Sequence, residues 1–108
     1  MNIKLSAQYF DAVVSGHKTT TIRSGIRPYT LGPAVMQLVD DNGITVDSHR
    51  ITITGLKISR FDRLTHADAL SDGFGTVDLL IKALLTHYEE AELKYLTIVE
   101  FTLATLDP

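Results

Sequence analysis

Apolar residues recur along this chain with two different periods, and the switches between them mark out its elements. Ile51-Thr52-Ile53-Thr54 alternates strictly, and Leu56 and Ile58 continue past Gly55, so the segment reads as a strand with a bulge or bend at the glycine. Ile3 to Leu5, Thr19 to Arg23, Val35 to Val39, Ile44 to Ser48 and Tyr95 to Leu103 are rich in β-branched and apolar residues and read as strands too. Val77, Leu80, Ile81, Leu84, Leu85 and Tyr88 instead follow the three-and-four spacing of a helix stripe, with Thr76 as N-cap. A shorter helix is expected within Phe61 to Leu70, where Thr65 and Asp68 stand at capping-box spacing. Tyr9, Phe10, Val13 and Val14 give a helical face between Ala7 and Ser15. Ser6 is its fitting N-cap, and Gly16 sits where a left-handed residue ends a helix.

The breaks are equally readable. Asp40-Asp41-Asn42-Gly43 is a hairpin signal, because Asn-Gly tolerates positive φ. Ser24 to Pro33, with Gly25, Pro28, Gly32 and Pro33, is a long loop of the sort that often carries function. About six mainly antiparallel strands with two or three helices make an α+β protein, suited to a small β-barrel with helices packed at its ends. No internal repeat interrupts this order.

Composition narrows the classes. The 108 residues are expected to form one domain, 1–108, with 44% hydrophobic and 21% charged residues, the balance of a folded globular chain. There is no cysteine, which removes disulfides and thiolate metal sites. His17, His49, His66 and His87 lack metal-ligand spacing, so no metal is expected. The first residues carry no long apolar core, so no signal peptide is expected, and neither is a membrane span; a cytoplasmic monomer is the expectation. A formal charge of −3 argues against a general nucleic-acid binder, which must neutralise many phosphates. Lys18, Arg23, Arg27, Arg50, Lys57, Arg60 and Arg63 nevertheless give the first part of the chain a basic bias.

The stretch with the most chemistry is Gly16-His17-Lys18-Thr19-Thr20-Thr21-Ile22-Arg23. Lys18 falls at the helix-to-strand junction, and Thr21 and Arg23, two apart on a strand, share a face. A lysine, a hydroxyl and an arginine so placed can form a base, a nucleophile and an anion clamp; an exposed face of threonines and an arginine is the plainer alternative. The segment resembles the ASCH domain family, a PUA-like β-barrel group with the pattern Gly-x-Lys-x-x-(Glu or Thr)-x-Arg, matched at Gly16, Lys18, Thr21 and Arg23. With threonine in the sixth place, it is more similar to the small bacterial N(4)-acetylcytidine amidohydrolases. Leu31-Gly32-Pro33, Asp72-Gly73-Phe74 with the helix after it, and Ile98-Val99-Glu100-Phe101 extend the resemblance in order along nearly the whole chain.

The resemblance implies a hydrolase that needs no cofactor and acts on a nucleoside or nucleobase. Lys18, Thr21 and Asp72 would be catalytic, and Arg23, Tyr29 and Phe74 would contact substrate. The amidohydrolases carry glutamate where Asp72 stands, so either the loop sits closer to the cleft here or a water bridges the missing methylene. A threonine hydroxyl needs a base, and a lysine serves as one only if burial or a nearby cation depresses its pKa. Arg23 can be that cation, whereas Asp72 favours the charged lysine. Backbone N–H groups near the glycine-rich loops are the expected oxyanion donors. Tyr29 can stack on a base or cover the edge of the core; Phe74 can wall a pocket or fill the core. The alternative function is an RNA-binding or RNA-processing module, since PUA-like barrels commonly contact RNA.

Overall fold

One long strand organises the molecule. In this computed structural model, which describes residues 1–104, β4 runs unbroken over Thr45–Arg60. It pairs with β3 (Gly32–Val39) along its first half and with β5 (Tyr95–Leu103) along its second. β1 (Asn2–Ser6) lies parallel to β3, and β2 (Thr20–Ser24) lies antiparallel to β5, so the sheet order is β1-β3-β4-β5-β2. Residues 105–108 of the expected domain lie outside the described residues.

The α+β class holds, with five strands in place of about six. The segments expected at Ile44 to Ser48 and Ile51 to Ile58 are one strand, because His49 and Arg50 stay in the ladder opposite Met36 and Val35. The two residues are polar, but neither forms a turn, so nothing stops the pairing. The expected irregularity at Gly55 is present: the register slips between Ile53 and Gly55. A Cβ there would meet Glu100 Cβ at 3.3 Å, tight against the partner strand.

The sheet curls into an open half-barrel with β1 and β2 as its free edges. They are not paired to each other by a ladder. Arg23 of β2 reaches across instead and donates through Nη2 to the Lys4 carbonyl of β1. The last seam of the barrel is therefore crossed by a side chain, which leaves room for a cleft.

β5 explains why the core has two parts. Val99 and Phe101 join Ile3, Leu5, Met36, Leu38, Ile51 and Ile53 inside the curl. Leu96 and Ile98 face the other way and pack with Ile22, Ala69, Leu80 and Leu84 beneath the helices. Alternate residues of a strand point to opposite faces, so a strand buried on both must be apolar almost throughout.

Helix α1 (Phe10–Val14) follows a 3₁₀ turn at Ala7–Tyr9, so the helix expected over Ala7 to Ser15 is two shorter pieces. Ser6 precedes the turn, but its side chain makes no capping bond. The region Phe61 to Leu70 divides likewise into a 3₁₀ turn, Phe61–Arg63, and α2 (His66–Ser71). Thr65 and Asp68 form the full capping box of α2. α3 (Val77–His87) is capped by Thr76, whose Oγ1 accepts from the Leu79 N–H at 3.2 Å. The hairpin at Asp40 closes as a loop in which its carboxylate accepts from the N–H groups of Asn42 and Ile44, both at 2.9 Å. Among the described residues no helix is long and apolar enough to cross a membrane.

Candidate functional site

Two chain segments far apart in sequence are stitched together to make the site. After α1, Gly16 takes φ +82 and turns the chain, and the Lys18 N–H donates back to the Ala12 carbonyl at 2.9 Å. The Thr19 N–H donates to the Ser71 carbonyl at 2.7 Å, and Lys18 and Asp72 form an isolated antiparallel bridge. The C-terminus of α2 is thus docked on the residue that precedes β2. Gly73 allows the approach: it holds φ +89, and a Cβ there would stand 3.3 Å from Lys18 Cβ.

The side chains then meet. Lys18 Nζ lies 2.9 Å from Asp72 Oδ1 and donates also to the Asp72 carbonyl at 3.3 Å. Both residues are buried, at 4% and 7% exposure. Burial depresses the Lys18 pKa below its ordinary 10.5, against the opposing pull of Asp72 and with a smaller push from Arg23. Burial also raises Asp72 above the usual carboxylate value, against the stabilising charge and hydrogen bond of Lys18. Both directions favour the neutral forms, so desolvation outweighs the mutual attraction of the pair. The lysine therefore has a physical route to a free amine despite its acidic neighbour.

Thr21, 1% exposed, receives a hydrogen bond from Arg23 Nη1 at 2.5 Å. The same guanidinium donates to the Ile22 carbonyl at 2.9 Å and, as noted, to Lys4. Arg23 is thus both the clasp of the barrel seam and the group that orients the Thr21 hydroxyl.

A cleft of about 480 Å³ opens along this seam. Lys18, Thr21, Asp72, Arg23 and Phe74 all line it. Tyr29 does not; it packs against the core inside the curl, the other of its two expected places. Phe74 lies both against the lower core and on the cleft wall. The glycine-rich loop does not supply free oxyanion donors at Gly73 and Phe74. Their N–H groups donate to the Leu70 and Ala69 carbonyls, at 3.1 and 2.9 Å, closing the end of α2.

Sequence reasoning missed Tyr9. Its ring lies 5.6 Å from Lys18 Nζ and meets Phe74 edge-on at 6.3 Å, within the cleft lining. The one signal was a tyrosine, with its polar tip, on an otherwise apolar helical face. Lys4, Asp40, Asp41, His87 and Tyr88 also contribute to the lining, brought there by β1, the hairpin and the end of α3. Among the described residues no three His, Asp or Glu side chains are grouped so as to hold a metal ion.

No protein-family model and no curated protein matches the sequence. Solved structures do match the fold. The ASCH domain from Lactobacillus crispatus JV V101 is similar with a TM-score of 0.70 at 13% identity, covering 94% of this chain and 77% of that one. A mutant ASCH protein from Zymomonas mobilis gives 0.61 at 13% identity, covering 98% and 75%. Protein EF3133 from Enterococcus faecalis V583 gives 0.64 at 18% identity, covering 92% and 71%. At such identities the likeness is one of architecture. This chain has the ASCH fold, a PUA-like α+β half-barrel.

Proposed function

We propose that this protein is an amidohydrolase that needs no cofactor and removes the acyl group from N(4)-acetylcytidine or a related N(4)-acylated cytosine compound. The observation that carries the reading is the buried Lys18–Asp72 pair opening on the same cleft as a threonine hydroxyl gripped by Arg23. A surface role for these residues needs neither the burial nor the shared cavity. The cleft volume also falls within the ~300–1,000 Å³ of small-molecule sites.

The chemistry runs as acyl transfer to Thr21. Lys18, as the free amine, takes the Oγ1 proton while Oγ1 bonds to the acyl carbon and the carbonyl electron pair moves onto oxygen. Arg23, already beside Oγ1, is the charged donor that meets the developing oxyanion, the task expected of the loop amides. Collapse restores the C=O and breaks the bond to N(4), which keeps the electron pair. The Lys18–Asp72 pair returns the proton to N(4), and cytidine leaves. A water that gives its proton to the same pair then attacks the acetyl ester, releasing acetate and the Thr21 hydroxyl. Tyr9 and Phe74 supply the aromatic wall against which the pyrimidine rests.

An RNA-binding module is less well supported. Lys18, Lys57 and Arg60 are each paired with a carboxylate within 3.3 Å, and Arg23 and Arg27 donate to backbone carbonyls. Five of the seven residues behind the basic bias thus already have partners, Lys57 and Arg60 at the surface and Lys18 in the interior. The test is to incubate the purified protein with N(4)-acetylcytidine and follow cytidine release by chromatography. Release that disappears in Thr21→Val supports the reading, and no release from the parent protein overturns it.

A further inference from the structure

β2 carries a second buried hydroxyl that the reaction above leaves unused. Thr20 donates through Oγ1 to Asp72 Oδ1 at 3.3 Å, the same oxygen that accepts from Lys18 Nζ at 2.9 Å. Oδ2 makes no hydrogen bond among the described residues. No fully buried side-chain oxygen or nitrogen there lacks a partner, so Oδ2 keeps access to solvent, and the open space beside Asp72 is the cleft. The carboxylate is thus held by one oxygen and presents the other.

Thr20 reaches Asp72 from behind. It is buried, and it is absent from the cleft lining. It borders a separate cavity of about 300 Å³ with Gly55, Lys57, Ser71 and Glu100. Strand alternation accounts for this, since Thr21 and Arg23 share the cleft face and Thr20 has the opposite phase. A lone anchor from Lys18 would leave the carboxylate free to rotate, because such terminal torsions are broad. Two donors converging on Oδ1 fix its plane.

We propose that Thr20 is a positioning residue that pins Oδ1 of Asp72, so that Oδ2 faces the N(4) atom when the acyl bond breaks. In that step the electron pair of the broken C–N bond stays on N(4), and the proton that Lys18 took from Thr21 is relayed by Asp72 from Oδ2 to N(4), leaving Lys18 a free amine and Asp72 a carboxylate, as they began. The assignment rests on the amidohydrolase reading, but the hydrogen bond it invokes does not.

Two substitutions and two readouts test it. Thr20→Val keeps the shape and removes the donor, and Thr20→Ser keeps the donor. Thr20→Val is expected to lower kcat on N(4)-acetylcytidine by about 10- to 100-fold, the range for losing a group that orients an active residue. KM should stay unchanged, because Thr20 does not line the cleft. The carbon-13 titration of the Asp72 carboxyl should move to higher pH in Thr20→Val, since the lost bond favoured the charged form. Thr20→Ser should restore both. Unchanged kcat in Thr20→Val, or a Thr20→Ser variant as impaired as Thr20→Val, overturns the proposal. Should the parent protein fail to act on N(4)-acetylcytidine, the functional reading falls while the titration still decides. An Asp72 titration that does not move in Thr20→Val then removes the positioning role as well.

Discussion

Lys18 and Asp72, 54 positions apart, are joined twice: by a backbone bridge and by a 2.9 Å contact between Nζ and Oδ1. The first contact forces the second, because aligning the two backbones brings two buried charged side chains side by side. Nothing in the core demands them there. A buried ion pair is weak evidence for stability, and its retention fits a chemical role better.

That difference is measurable. Lys18→Met alone and Asp72→Leu alone each strand a buried charge and should lower the unfolding free energy by about 3–5 kcal/mol. The double substitution removes both charges and is expected to be neutral or stabilising by about 1–4 kcal/mol, with no activity. Urea unfolding of the three variants decides. A double variant as unstable as the two singles combined would show the pair to be structural.

The pH dependence follows from the directions of the two shifts. Lys18 has a folded pKa below 10.5, so any stability it lends is present above 10.5 and is lost as pH falls through the folded value. Asp72 is raised above 3.8, so its share is present below 3.8 and is lost as pH rises through the folded value. Where both groups are charged, burial penalises both, which is why the double substitution can gain stability. The free amine of Lys18 accumulates as pH rises through its folded value, so kcat/KM should climb and level off below pH 10.5. A profile still rising there would mean that the base is another group.

How far the sequence carries depends on whether a feature is local. The capping box of Thr65 and Asp68, the Thr76 cap and the strand Tyr95–Leu103 follow from neighbours within a few residues, and all three stand as expected. The union of two expected strands into β4 was hidden, because polar His49 and Arg50 look like an interruption until β3 lies beside them. The site divides in the same way. The Lys18, Thr21 and Arg23 pattern is contiguous and legible. Tyr9 meets Lys18 across the turn of the α1–β2 segment, and the contacts of Tyr9 with Phe74 and of Thr20 with Asp72 come from the docking of α2 on that junction, which no spacing in the chain records. Tyr29 illustrates the converse: a loop aromatic is a reasonable stacking platform until the core beneath it is seen.

Tyr9 gives a specificity test. Its ring faces the cleft beside Phe74, and base-on-aromatic stacking is worth ~1–3 kcal/mol per base. Tyr9→Leu should therefore raise KM for N(4)-acetylcytidine by about 5- to 150-fold while Tyr9→Phe stays near the parent value. Steady-state kinetics on the three proteins check it, and equal KM values would place the pyrimidine elsewhere in the cleft.

The sharpest prediction concerns the length of the acid. Aspartate is one methylene shorter than the glutamate that the sequence resemblance implies at this place, and here Asp72 contacts Lys18 directly at 2.9 Å. Gly73, at φ +89 and with only 3.3 Å available for a Cβ against Lys18, lets the α2 end close directly on the lysine. Asp72→Glu must then fit an extra methylene into a gap already closed at 2.9 Å, so it should keep the charge but displace Nζ, leaving partial activity. Asp72→Asn keeps the size and loses the charge. Without that carboxylate the Lys18 pKa falls further, so the rise of kcat/KM with pH should move to lower pH even as the maximum drops by about 10²–10⁴-fold for want of a proton donor. The two effects separate positioning from acid catalysis. If Asp72→Asn keeps the parent rate at every pH, proton delivery to N(4) lies with Lys18 alone and the mechanism above loses its acid.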